Sequence, residues 1–147
     1  MAVALKAEFQ AYFDRLSAGE LAFPICEDCA RWHWYPMTLC PHCRSSRLSW
    51  RPVHGVGEIW SWTVVRHAFE PDYGDKLPYV VALVCFEDAP GIRLVANIEG
   101  ISLDELRIGL PVELVRSADG RSPSRPVFGP LRPKPHPQAE LHQDRRR

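Results

Sequence analysis

The sequence predicts a mainly β protein that begins with one α-helix and carries a small metal-binding segment ahead of a β-domain. Three observations support this prediction: apolar residues recur at helical spacing near the N-terminus, two Cys-x-x-Cys pairs follow, and short runs rich in β-branched and aromatic residues fill most of the remainder. A chain of 147 residues is long enough for one domain of ordinary size, or for a mini-domain joined to a domain of about a hundred residues.

Composition and charge are those of a globular protein rather than of a nucleic-acid carrier. The hydrophobic fraction is 46% and the charged fraction 24%, which excludes a disordered or fibrous chain. Residues 121–147 hold seven Lys or Arg against two acids, which leaves residues 1–120 with eleven against sixteen, a net charge of −5. A protein that holds a phosphate backbone would concentrate positive charge on its folded body.

The N-terminus carries charges within its first eight residues, and no later run approaches the roughly 18 apolar residues of a membrane span. We therefore expect a cytoplasmic protein. In that reducing compartment, five cysteines are expected to be thiols or metal ligands rather than a disulfide framework.

Residues 3–18 predict one amphipathic helix, with Gly19 as its stop. Its apolar stripe consists of Leu5, Phe9, Tyr12, Phe13 and Leu16. Such a stripe packs either on the protein's own β-domain or on a partner, and the two cases have the same sequence pattern.

Cys26, Cys29, Cys40 and Cys43 form two Cys-x-x-Cys knuckles separated by ten residues. Each knuckle directs two thiolates to one side of a tight turn, and two knuckles complete a closed tetrahedral shell, which is typical of structural zinc. Residues 21–50 lack a sustained period of 2 or 3.6, so zinc binding, worth on the order of 10 kcal/mol, is expected to supply their folding energy.

Other chemistry for these sulfur atoms fits less well. A redox dithiol is expected in a thioredoxin-like βαβ context, which is missing. Rubredoxin-type iron knuckles usually have glycine after the second cysteine, whereas Ala30 and Arg44 stand there. With four thiolates available, His33 and His42 are surplus ligands and are expected at the surface, and Cys85 is expected to be a small apolar residue of a buried strand.

Five strands are predicted after residue 50, with a short helix that starts in the Ser102–Glu105 capping box and ends near Gly109. The strands are residues 53–65, 79–86, 92–98, 111–115 and 126–128. Five strands with a helix between the third and fourth is the order of an OB barrel. Gly55 and Gly57 suit a bulge or kink in the long first strand, with a plain turn as the alternative.

The predicted units are an N-terminal helix (1–20), a zinc ribbon (21–50), an OB-fold domain (51–130) and a tail (131–147). Proline at alternate positions after Pro130 excludes a helix there, so the basic tail is expected to be mobile.

The sequence contains no recognisable catalytic motif. His54 and His67 flank the first long strand, where hydrogen-bonded or exposed histidines are commoner than catalytic ones. Trp60 and Trp62 are two residues apart and therefore predicted on one strand face, either as a stacking platform for a base or as core and seam residues.

The order of these features resembles the DUF35 family of zinc-ribbon OB-fold proteins, over about residues 5–130. The motifs that carry the resemblance are Cys26-x-x-Cys29, Cys40-Pro-x-Cys43, Leu48-x-Trp50, Gly55-x-Gly57-x-Ile-x-Ser-x-Thr63, Pro78-Tyr79-Val-Val-Ala, Ile108-Gly-x-Pro-Val112 and Pro126-x-Phe128. The sequence departs from the family pattern at Glu87–Gly91, where a tighter turn is usual, and in its basic tail.

This resemblance implies a non-catalytic subunit bound to a thiolase, an acyltransferase or a thiolase-like aldolase, in the breakdown of steroid side chains or of aromatic or fatty acyl-CoA. It implies a hetero-oligomer that helps to shape the partner's acyl-CoA site. In OB barrels the ligand surface involves the loops between strands one and two and strands four and five. Candidate residues for coenzyme A or partner contacts there are Arg66, His67, Lys76, Arg116, Arg121, Arg125 and Phe128, with ordinary solvated charge as the alternative.

Two other functions are compatible with the pattern. Zinc ribbons and OB barrels also meet in single-stranded nucleic-acid-binding proteins, although the acidic body argues against this. A small acyl-CoA hydrolase is the third hypothesis, and it requires thioester cleavage by the isolated chain.

Overall fold

The computed structural model describes residues 7–68, 71–115 and 125–133, with the side chains of residues 71–73 excepted. The first part contains helix α1 (Ala7–Ser17) and strands β1 (Leu21–Cys26), β2 (Leu48–Val53) and β3 (Val56–Val65). The second contains a 3-10 helix (Pro71–Lys76), β4 (Tyr79–Cys85), β5 (Arg93–Ile98), a second 3-10 helix (Leu103–Glu105) and β6 (Pro111–Val115), and β7 (Val127–Pro130) follows. The predicted mobile tail lies, from residue 134 onward, outside the described residues.

The ribbon is an antiparallel pair of strands with a third segment at its edge. β1 pairs with β2 from Leu21↔Val53 to Cys26↔Leu48, and Trp32 forms a bridge to Ile25 on the other side of β1. Every residue of β1 is buried. β1 is therefore a central strand, which explains why its sequence lacks the alternation of a half-exposed strand.

The other five strands close into a barrel in the order β3-β4-β5-β7-β6, and β6 returns to β3. All pairs are antiparallel except β5 with β7. Alternate residues of β4 and β5 point inward and are buried, among them Val80, Ala82 and Val84. The predicted mainly β fold, with one N-terminal helix and a five-stranded OB barrel, is confirmed.

Helix α1 packs on the ribbon rather than leaving its stripe free. Tyr12 and Leu16 are buried, and the ring of Tyr12 lies 4.8 Å from that of Trp34. Phe23 of β1 contacts Trp34 on one side and Phe86 of the barrel on the other, at 5.3 Å in each case. Helix, ribbon and barrel thus share one apolar core, and the intramolecular alternative holds for the described part of the stripe.

Three local features differ from the prediction. Val53 belongs to the ribbon strand β2, so the barrel's first strand begins at Val56. Gly55 has a φ of +71° in the link between these strands, as a plain turn requires, whereas the bulge in β3 lies between Ile59 and Ser61. The helix predicted to reach Gly109 is a single 3-10 turn at Leu103–Glu105.

The capping box that predicted this helix does form, since the Glu105 carboxylate accepts hydrogen bonds from the backbone N–H and the hydroxyl of Ser102, at 3.1 and 2.8 Å. The signal therefore located the turn correctly. The capping box did not predict the length of the helix. The helix ends at Glu105 because the next residue, Leu106, is buried in the core.

Gly57 is the position where the barrel tolerates no side chain. A Cβ there would lie 2.6 Å from the carbonyl oxygen of Cys85 and 2.6 Å from a methyl carbon of Val84. We expect Gly57→Ala to lower the free energy of unfolding by about 1–3 kcal/mol through overpacking. Gly74→Ala is the matched control, because nothing lies within 4 Å of its Cβ position. Denaturant unfolding midpoints measure both variants, and equal midpoints would contradict this account of strand packing.

Candidate metal centre

The two knuckles have the same backbone geometry. The N–H of Ala30 donates to the carbonyl of Cys26 and that of Arg44 to the carbonyl of Cys40, each at 2.9 Å. Ala30 and Arg44 take left-handed φ values of 56° and 65°, a conformation that costs a non-glycine residue roughly 1–2 kcal/mol. The turn that usually uses glycine therefore forms without it, so the absence of glycine does not by itself argue against rubredoxin-type knuckles.

The four sulfur atoms converge on one point. Cys26 Sγ lies 3.5 Å from Cys43 Sγ and Cys29 Sγ lies 3.7 Å from Cys40 Sγ, and all four atoms lie within 4.8 Å of one another. A tetrahedral zinc with Zn–S bonds of about 2.3 Å has sulfur–sulfur edges of about 3.8 Å. The donor set and its spacing fit a structural zinc, as the sequence predicted.

Four thiols at this spacing cannot all ionise without a cation. Desolvation raises the pKa of Cys40, but amide hydrogen bonds from Cys43 and His42 outweigh it, and the pKa falls to about 6. The Ser45 amide lowers the pKa of Cys43, yet desolvation and the neighbouring thiols together raise it to about 12. A divalent cation removes this conflict, because it stabilises all four thiolates at once.

Polar side chains fasten the outer edge of the ribbon. Arg47 and Ser45 of the second half both bond the Asp28 carboxylate of the first knuckle, and Arg47, followed by Ser45, lowers the pKa of Asp28 to about 2. Ser49 bonds Glu27 in the same way. These contacts tie the two halves together beside the sulfur atoms.

The two histidines near the site differ from each other. His42 is exposed, as predicted. The same prediction is wrong for His33, which is only 5% exposed and has no hydrogen-bond partner on either ring nitrogen. Burial, with a smaller effect of His42, lowers the pKa of His33. The sequence showed no sign of this burial because the segment has no periodicity.

The predicted partner-surface residues fall into three groups. Arg66, His67, Lys76 and Arg125 are exposed next to the ends of β3, β4 and β7. Arg116 and Arg121 lie outside the described residues. Phe128 is fully buried and its ring packs 6.0 Å from that of Phe86, so its assignment to a surface is wrong. Phe128 was assigned to the partner surface because it belongs to a family motif, but its side chain fills the barrel interior.

The bulge separates the two tryptophans of β3. Trp60 is 48% exposed and the Arg93 guanidinium covers its ring at 4.0 Å, whereas Trp62 packs against the core. The prediction that they share one face is wrong, because one extra residue at the bulge reverses the alternation. A two-tryptophan stacking platform for nucleic-acid bases is therefore not formed.

The remaining candidates, His54 and Cys85, are at least partly exposed. The exposed His54 ring contacts Asp88 at 2.8 Å on the surface, and Cys85, expected to be buried, lies half-exposed on the outward side of β4. Within the described residues, the four knuckle cysteines are the only cluster of His, Cys, Asp or Glu suited to a metal ion.

Comparison with known proteins agrees with this site. Residues 13–49 match the family model of the ChsH2 rubredoxin-like zinc ribbon domain, and residues 50–116 match that of the ChsH2 C-terminal OB-fold domain. A chain of the Ltp2–ChsH2(DUF35) aldolase superposes with a TM-score of 0.75 at 32% identity, over 88% of this chain and 98% of that chain. The chain belongs to the DUF35 family, in its ChsH2 type.

Curated relatives are longer than the matched region. A probable enoyl-CoA hydratase alpha subunit of Thermomonospora curvata is 35% identical over 84% of this chain and 37% of its own length. A DUF35 domain-containing scaffold protein of Methanocaldococcus jannaschii is 28% identical over 61% of this chain and 62% of its own. A crystal structure of a DUF35 protein from Sulfolobus solfataricus, at 15% identity, TM-score 0.59, and coverage of 85% and 86%, shares the fold.

Within the described residues, no helix combines the length and the apolar character that crossing a membrane demands.

Removing one knuckle sulfur should release the metal and unfold the ribbon. We expect Cys40→Ser to lose its zinc and a coupled folding energy on the order of 10 kcal/mol, since Cys40 is buried at the centre of the cluster. Cys85→Ser is the control, because Cys85 lies outside the four-cysteine cluster and its thiol hydrogen-bonds to the Glu58 carbonyl at 3.5 Å. Elemental analysis and circular dichroism measure both. A Cys40→Ser chain that keeps one zinc per molecule would contradict the assignment.

Proposed function

We propose that this chain is a non-catalytic accessory subunit of a thiolase-superfamily enzyme, and that the enzyme is an aldolase acting on acyl-CoA. The observation that carries the proposal is the match to a chain of the Ltp2–ChsH2(DUF35) aldolase along 98% of that chain's length. A match of this extent supports a fold shared along the whole matched region rather than a shared motif.

Reaction chemistry favours the aldolase over the thiolase and acyltransferase alternatives. A hydratase adds water to an enoyl-CoA and forms a β-hydroxyacyl-CoA. A retro-aldol reaction starts from such a compound: the hydroxyl loses its proton and its oxygen forms the C=O bond of a departing aldehyde or ketone as the Cα–Cβ bond breaks. The electron pair of the broken bond forms a thioester enolate, which is then protonated to the shortened acyl-CoA. The Thermomonospora relative is a longer protein that contains a segment similar to this chain. Its name, probable enoyl-CoA hydratase alpha subunit, fits the hydration step that precedes the retro-aldol reaction.

The described residues of this chain support a binding role within such a complex. They hold a zinc site whose four sulfur ligands leave no open position for a substrate. The partner would supply the acid and base groups, and this subunit would hold its acyl-CoA channel in shape. Its cysteines, all free of disulfides, suit the reducing cytoplasm.

The surface we propose for coenzyme A is the rim that carries Arg66, Lys76 and Arg125. Val65 pairs with Tyr79 across β3 and β4. The Asn97 side chain of β5 donates to the Val80 carbonyl at 3.5 Å, and the Asn97 N–H donates to the Pro126 carbonyl at 3.1 Å.

These bonds put Arg66, Lys76 and Arg125 next to the ends of β3, β4 and β7, three of the four neighbouring strands β3-β4-β5-β7 of the barrel. Clustered cations on exposed positions suit the phosphate groups of coenzyme A. We propose the same role in coenzyme A binding for Arg116, Arg121 and His67.

Co-expression tests the partnership. We expect the tagged chain to co-purify in fixed stoichiometry with a thiolase-like protein encoded beside it, and C–C cleavage of a β-hydroxyacyl-CoA only by the pair. The Cys40→Ser variant controls for dependence on the folded ribbon. Separate elution of the two proteins, or thioester hydrolysis by this chain alone, would contradict the proposal.

Charge reversal tests the rim within that complex. We expect Arg66→Glu and Arg125→Glu each to raise KM for the acyl-CoA about tenfold, because each reversal removes a contact with a phosphate. The effect should disappear with an acyl-pantetheine substrate, which lacks the nucleotide phosphates. Arg107→Glu, on the loop before β6, is the control. Unchanged KM values would remove the rim from the proposed site while leaving the partnership standing.

A further inference from the structure

Strand β4 of the barrel is apolar on both of its faces. Its sequence, Tyr79–Cys85, contains apolar and aromatic residues only, a pattern typical of a strand that is covered on both sides. The barrel interior covers one side, where Val80, Ala82 and Val84 are buried, whereas the alternate residues on the outside are only partly buried. The pattern therefore indicates that another surface covers the outside of β4.

The strand register puts an acid and a base on opposite sides of β4. Glu58 of β3 and Arg93 of β5 both pair with Cys85 of β4. Both side chains are exposed, while their strand neighbours Ile59 and Leu94 are buried, so both point outward. Two strand spacings, or about 10 Å, separate their backbones.

Two exposed apolar residues flank β4 in the same way. Leu83 of β4 pairs with Ser61 on one side and with Val95 on the other, and Trp60 precedes Ser61 at the bulge. Trp60 and Val95 are each 48% exposed. The Arg93 guanidinium reaches the Trp60 ring at 4.0 Å, which shows that these side chains lie on one face. We call it the outer β4 face, formed by Glu58, Trp60, Leu83, Cys85, Arg93 and Val95.

The two charges of this face have no ionic partner within the chain as far as the structure describes it. The ion pairs among the described residues include neither Glu58 nor Arg93. A guanidinium that stacks on an aromatic ring can still donate from its N–H groups to a carboxylate. Arg93 can therefore keep its contact with Trp60 and bind an acid of another molecule.

The outer β4 face is complementary to itself. When two such faces meet on a two-fold axis that runs along β4, the β3 side of one copy lies over the β5 side of the other. Glu58 of each copy then faces Arg93 of the second copy, and Trp60 faces Val95 of the second copy. One rotation pairs all four charges and covers the exposed apolar side chains.

We propose that the outer β4 face is the contact between two copies of this chain in a symmetric dimer. The two exposed apolar side chains on each copy favour a covered surface, and the antisymmetric placement of acid and base specifies a second copy of the same face as the occupant. This dimer does not depend on the accessory role proposed above.

Charge exchange in the zinc-loaded full chain tests the dimer. Sedimentation equilibrium of the wild type is expected to give twice the 16.8 kDa of one chain. Glu58→Arg and Arg93→Glu each place like charges opposite each other at both contacts, so we expect each to weaken the dimer about a hundredfold or more. Glu8→Arg is the control, because Glu8 is exposed on α1, which packs on the ribbon.

Mixing the two variants separates a contact between copies from a contact within one chain. The Glu58→Arg chain and the Arg93→Glu chain carry opposite charges at both contacts, so their mixture should form a mixed dimer although each variant alone is monomeric. A monomeric wild type would overturn the proposal, and if Glu58→Arg also lost the thiolase-like protein, the face would belong to that protein. A mixture that stays monomeric while the wild type dimerises would overturn it as well.

A measurement on the wild-type chain needs no variant to fold. Equal amounts of ¹³C-labelled and unlabelled chain are mixed, and isotope-filtered NMR selects contacts between copies. We expect nuclear Overhauser effects between the Trp60 ring protons of one copy and the Val95 methyl protons of the other. A sample that sediments as a dimer without these signals would overturn the proposed face.

Discussion

Four thiolates that share one cation hold the N-terminal third of this protein together. Without the cation, desolvation and the neighbouring thiols raise the pKa of Cys43, whereas amide hydrogen bonds outweigh desolvation and lower the pKa of Cys40. With it, both knuckles become rigid turns at the end of the ribbon where Cys26 pairs with Leu48, without a core of their own. The left-handed strain at Ala30 and Arg44 persists because metal coordination over-determines both knuckles.

The metal site affects the whole fold because the ribbon is part of a larger core. Phe23 stands on the buried central strand of the ribbon and contacts both Trp34 and Phe86, and helix α1 seals the far side with Tyr12 and Leu16. Loss of the metal would therefore loosen a face of the barrel as well as the ribbon. The proposed accessory role requires surfaces that stay fixed, and this arrangement provides that rigidity.

The sequence predicted the metal site and the barrel strands well because their signals are local. A Cys-x-x-Cys turn fixes its own geometry, and alternation along residues 79–85 directly reports inward and outward faces. The order of the predicted strands and helix gave the OB barrel, and resemblance to a family added the expected class of partner.

What the sequence could not reveal depends on contacts between distant segments. The bulge at Trp60 shifts the face of every later residue of β3, and no local pattern marks it. Phe128 is buried against Phe86, which is far away in sequence, so a motif position was mistaken for a contact position. His33 is buried in a segment without periodicity, so a polar residue was mistaken for a surface residue. The rim of the barrel was predictable as loops, but its grouping of cations depends on strand pairing.

X-ray absorption at the zinc edge of the purified full-length chain tests the central claim most directly. The account predicts one zinc per chain surrounded by four sulfur atoms at about 2.3 Å, with no lighter ligand. A shell containing nitrogen or oxygen at about 2.0–2.1 Å, or a folded chain without metal, would contradict it.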